Sequence, residues 1–133
     1  MALAGAGLVG FSPAKADVPQ VSGPGAFVEA RAAEMRGDGP RASRSFAAAL
    51  AADPANQLVG RHALRHATWQ GDWPLVLQAA RSLETSEALP ADGRFLLVAD
   101  AVRRGDWAAA EAQLTKIAAD AGPLASLAPI IQA

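Results

Sequence analysis

The stretch GDGPRASRSFAAALAADPAN, residues 37–56, carries the punctuation that decides the fold. Gly37-Asp38 opens it: a glycine takes the left-handed conformation that ends a helix, and an aspartate caps the free N–H groups of the next one. Pro40 then falls in the first helical turn, where a missing N–H costs nothing. Ala42, Phe46 and Ala49-Leu50 recur at helical spacing, and Asp53-Pro54 halts the run before Asn56. The stretch predicts a helix entered through a tight helix-to-helix turn and closed by a break.

The same arrangement returns along the chain. Gly71-Asp72 and Gly105-Asp106 follow Gly37-Asp38 at successive steps of 34 residues, and no other Gly-Asp occurs. Trp73 and Trp107 are 34 apart, Pro74 repeats Pro40, and three columns fall on one helical face at that period: Ala42, Val76, Ala110; Phe46, Ala80, Leu114; Ala49, Leu83, Ile117. In the preceding helices Ala33, Ala67 and Ala101 form another column. Breaks at Asp53-Pro54, Leu89-Pro90 and Gly122-Pro123 close the units. Three helical hairpins are therefore predicted, at about 26–53, 57–86 and 91–121, with a further helix starting from Pro123.

Composition agrees. The chain has 133 residues, 51% of them hydrophobic, but aromatics are only 5% and tyrosine is absent, so the core must come from closely approaching backbones rather than bulky side chains. No stretch alternates apolar and polar residues long enough to read as a strand, which makes the expected fold all-α. The formal charge of −1 supplies no field toward nucleic acid. With no cysteine, disulfides, thiolate metal sites and a Cys nucleophile are excluded.

Residues 1–16 form a short apolar leader ending in Ala14-Lys15-Ala16, an A-x-A cleavage pattern without a basic segment before it. It is too short to span a membrane. The leader reads as a partial secretory signal, so that the mature chain begins at Asp17 and is exported to a periplasm-like compartment, without stable membrane insertion. A cytoplasmic protein with an Ala/Gly leader is the alternative. Residues 17–25 read as a linker and 26–133 as the repeat domain, in units of about 26–56, 57–90, 91–122 and a partial 123–133.

These residues resemble the tetratricopeptide repeat family. Gly37-Asp38, Ala42, Phe46, Ala49-Leu50 and Asp53-Pro54-Ala-Asn56 look like that motif's turn, its small-large-small second helix and its Asp-Pro-x-Asn ending, and the period is the family's. Departures lie in the first helices, where Ala26, Gly60 and Arg94, and again Ala33, Ala67 and Ala101, stand in place of large aromatics. The resemblance implies a right-handed solenoid of about three hairpins plus the start of a fourth. It implies a non-enzymatic scaffold that binds a partner peptide or domain in a concave groove lined by first helices. A terminal cap is expected of a solenoid, and the apolar run 125–133 is not one, so the chain reads as a fragment of a longer bacterial repeat protein. A docking arm of a larger enzyme, its catalytic domain outside this chain, is the alternative.

The remaining polar residues offer little chemistry. His62 and His66 share a helical face, but they lack a third ligand and are flanked by arginines, so they read as solvated surface histidines and no metal or cofactor is expected. Ser43, Ser45, Ser82 and Ser86 have no base at a recognisable spacing and read as surface polar residues. Arg61 and Arg65 are one turn apart, and in the family's register they face the groove, with Arg31, Trp69 and Arg103 on or near it. Guanidinium forks and a flat indole suit an acidic peptide segment. Trp73 and Trp107, at the hairpin turns, are expected in the core.

Overall fold

The computed structural model describes residues 23–120, and among them there are six helices and no strand. These are α1 (Pro24–Met35), α2 (Gly39–Ala52), α3 (Gln57–Gln70), α4 (Trp73–Thr85), α5 (Ala91–Arg103) and α6 (Trp107–Asp120). Each odd helix packs most closely on the even helix that follows it, and α2 on α3 and α4 on α5 join the pairs in series. α2 and α4 also touch. The leader, the first residues of the predicted linker and the segment from 121 onward lie outside the described residues.

The three Gly-Asp turns have the geometry their sequence predicts. Gly37, Gly71 and Gly105 all adopt left-handed φ values, of 75°, 69° and 71°. One carboxylate oxygen of each following aspartate accepts an N–H three residues on: Asp38 from Arg41 at 3.1 Å, Asp72 from Leu75 at 3.2 Å and Asp106 from Ala109 at 3.1 Å. Pro40 and Pro74 sit in the first turns of α2 and α4. Asn56 caps α3 in the same way, taking the Val59 N–H at 3.2 Å. α1 starts at Pro24, two residues before the predicted start, since proline is tolerated at the first helical position.

The interior is made mainly of alanine. Ala26, Ala30, Ala33, Ala42, Ala63 and Ala67 are buried with Phe46, Leu50 and Leu83 as the large fillers. Small side chains let the helix axes approach, and Gly60 carries this furthest: a methyl at its Cα would lie 2.8 Å from Leu83 Cδ2. Gly60 therefore replaces the expected aromatic because α4 already fills the space. α6 buries only Ala110, since no described element covers its far side. Trp73, at the start of α4, is half-buried against the core. Trp107 corrects the expectation of a core residue: it is 68% exposed, since the polar side chains of Gln113 and Lys116, both meeting Glu84, carry the contact of α6 with α4.

Candidate functional site

Arg61, Arg65 and Trp69 stand on successive turns of α3 and line one groove with Leu64 of α3 and Leu96 of α5. The groove encloses about 400 Å³. Its floor is apolar, and its two guanidiniums stand exposed. Among the described residues no carboxylate lies within ion-pair distance of either. Asp92, at the start of α5, contributes one opposing charge to the wall, but its Oδ1 accepts the Gly93 N–H at 2.9 Å. The groove thus carries two cations to one anion. Trp69 is 83% exposed, and a large indole left in water on a wall is a ready apolar anchor.

Arg31 and Arg103 do not line this groove. Arg31 is paired with Glu34 one turn along α1. Arg103 is engaged by Asp100, which is buried to 2% exposure and is also reached by Arg81 and Arg104. Arg103 Nη2 donates to Asp100 Oδ1 at 3.0 Å, while Arg81 Nη2 and Arg104 Nε donate to Oδ2 at 3.1 Å each. The Arg103 hydrogen bond, with Arg104 beside it, holds the Asp100 carboxyl below the usual carboxylate range despite its burial. This cluster ties α5 to α4 and spends Arg103 on the fold.

The two histidines divide, which corrects the expectation that both are solvated. His66 is 3% exposed: its Nε2 pairs with Ser43 Oγ of α2 at 3.3 Å, its Nδ1 lies 3.5 Å from Glu34 Oε1, and its ring lies 5.2 Å from that of Phe46. Ser43 is accordingly not a plain surface residue. A serine, an imidazole and a carboxylate in that order resemble a nucleophile, base and orienter. Ser43 lies within α2, however, where the neighbouring backbone N–H groups are committed to helix hydrogen bonds and cannot form an oxyanion hole. The arrangement gives a buried ring a hydrogen bond at Nε2 and a carboxylate beside Nδ1. Helical periodicity could not foresee it, because Ser43 and His66 are 23 residues apart.

His62 is half-buried, edge-on to Phe27 at 5.5 Å, and its Nδ1 accepts from Arg65 Nη2 at 3.1 Å. Burial, with Arg31 and Arg65 nearby, pushes its pKa below the ordinary histidine value, while Glu34 opposes the shift. The imidazole thus holds a groove arginine, a role the sequence pattern did not show. Among the described residues no three His, Cys, Asp or Glu side chains cluster as metal ligands would, and no helix is long and apolar enough to cross a membrane. Searches against family models, curated proteins and solved structures found no match to this chain.

Proposed function

We propose that this chain is a non-enzymatic protein-binding scaffold of tetratricopeptide type, a right-handed solenoid of about three hairpins and the start of a fourth, holding an acidic peptide segment on its first helices. The observation that carries this reading is the groove between α3 and α5, where Arg61, Arg65 and the exposed Trp69 rise beside Leu64 and Leu96. Two forks with no carboxylate partner among the described residues can take carboxylates, and the indole and leucines can take an apolar neighbour in the same segment. The fold supports the reading through its left-handed turns at 37, 71 and 105, whose spacing is the family's period.

The test is selection from a random peptide library with the whole chain, followed by titration of the selected peptides. Enrichment of Asp or Glu next to an apolar residue is expected. Arg61→Ala with Arg65→Ala should weaken those peptides by roughly tenfold or more, as loss of a charge-assisted hydrogen bond does. The melting temperature should stay within about 2 °C of the parent, because both side chains are exposed. Affinity should fall as salt rises. Equal binding by a folded double variant would remove the arginines from the site.

Export is part of the same proposal, since the leader ends in Ala14-Lys15-Ala16. Expressed with its leader, the protein should be recovered from the periplasm with Asp17 first. An intact leader in the cytosol would reverse this assignment.

A further inference from the structure

Arg65 is the one groove arginine whose position is set by a titratable group. Its Nη2 donates to His62 Nδ1 at 3.1 Å. A guanidinium only donates, so this contact requires the neutral imidazole with Nδ1 as acceptor. Protonation puts an N–H on Nδ1, and two donors then face each other beside two like charges. The contact cannot persist, and Arg65 must swing away.

We infer that partner capture in the groove is proton-linked through His62: protonation of the ring releases Arg65 to the groove, and an acidic segment bound there draws that proton onto the ring. This rests on the groove reading above and adds its regulation.

The surroundings of His62 support the coupling. From α1 it is faced by the ring of Phe27 and by Arg31 and Glu34; from α3 it is faced by Arg65. Among the described residues these three charged groups are the ones His62 feels, and their balance is positive. Glu34 is shared, being paired with Arg31 and lying 3.5 Å from His66 Nδ1. Without a partner, burial and this balance of charge favour the neutral ring. Carboxylates arriving on Arg65 cancel part of the field that disfavours the imidazolium, and the departure of Arg65 from Nδ1 removes more of it.

The sign follows from linkage. The bound-state pKa of His62 lies above the free-state value, so affinity is greatest below the free-state pKa. The advantage is lost as pH rises through the bound-state pKa. Each unit of displacement corresponds to about a tenfold change in affinity between the two limits. A partner's aspartates ionise near pH 4, so their own protonation falls below this range.

Isothermal titration calorimetry of the whole chain with a hexa-aspartate peptide, and with hexa-asparagine as the neutral control, decides the matter. Titrations at pH 6.5 in two buffers of different ionisation enthalpy read the protons taken up. Uptake of a measurable fraction of one proton is expected in the parent and almost none in His62→Asn, with the affinity of the parent rising severalfold from pH 8.0 to 5.5. A parallel nuclear magnetic resonance titration of the His62 ring in the parent should show its pKa rising when hexa-aspartate is added, which keeps the test independent of how the variant folds. Binding without proton uptake would overturn the linkage and leave the groove intact. Uptake that persists in a folded His62→Asn protein would place the proton elsewhere and overturn it too. No binding of hexa-aspartate at either pH would end the groove reading and this inference with it.

Discussion

A left-handed backbone tests single residues most directly. Gly71 has φ 69° and open space around the position of a Cβ, so the cost of Gly71→Val is chiefly conformational, about 1–2 kcal/mol. Glu87, just beyond α4, has φ 55° without being glycine, and it is exposed. Glu87→Gly should therefore stabilise, by up to about 1 kcal/mol, where Gly71→Val destabilises. Opposite shifts in denaturant midpoint are expected, and shifts of the same sign would contradict the turn geometry. Asp100 offers a test by pH. Its folded-state pKa is depressed, chiefly by the Arg103 hydrogen bond, so its stabilising contribution is full above about pH 4, where the unfolded carboxyl ionises, and fades as pH falls through the lower folded value. Asp100→Asn should cost about 2 kcal/mol at pH 7, below the usual loss for a buried pair because the three arginines can rehydrate. Melting temperatures of parent and variant should converge below pH 4; a constant gap would mean that the charge of Asp100 is not what stabilises.

Between elements the close approach of α3 to α4 is the sharpest feature. Gly60→Ala would gain about 1 kcal/mol of helix propensity in isolation. Its new methyl, however, would meet the side chain of fully buried Leu83 at under 3 Å, and overpacking costs about 1–3 kcal/mol. The clash is expected to win, so Gly60→Ala should lower the melting temperature, and Gly60→Ala with Leu83→Ala should lose less stability than the sum of the two single losses. Simple additivity in that double-mutant cycle would argue against the contact. The helices and turns themselves were legible from the chain, because each rests on local chemistry: a left-handed glycine, an aspartate cap, a proline in the first turn. Burial of polar residues was not. His66 and Asp100 sit 34 residues apart on α3 and α5 and both turn toward the preceding hairpin, one to Ser43 and Glu34, the other to Arg81. Those partners lie 19 to 32 positions away, beyond what helical spacing can relate.

For the whole molecule the expectation is a far-ultraviolet circular dichroism spectrum that is helical, with no strand component, and a β-dominated spectrum would sink the fold. Among the described residues the local grammar of the sequence determined the all-α character, the ends of the helices flanking the breaks near 53 and 89 to within two residues and an alanine core, since these depend on neighbours no more than a few residues away. It also brought Arg61, Arg65 and Trp69 to one face, because three residues spaced by four must share one. Only the tertiary structure decided which polar groups are free. Arg103 is spent on Asp100, Arg31 on Glu34 and His66 on Ser43, while Arg65 leans on His62 and Trp107 stays in water. The reason is physical: a side chain's availability depends on what a neighbouring helix presents to it, and which helices become neighbours is settled by the packing of distant segments rather than by local sequence.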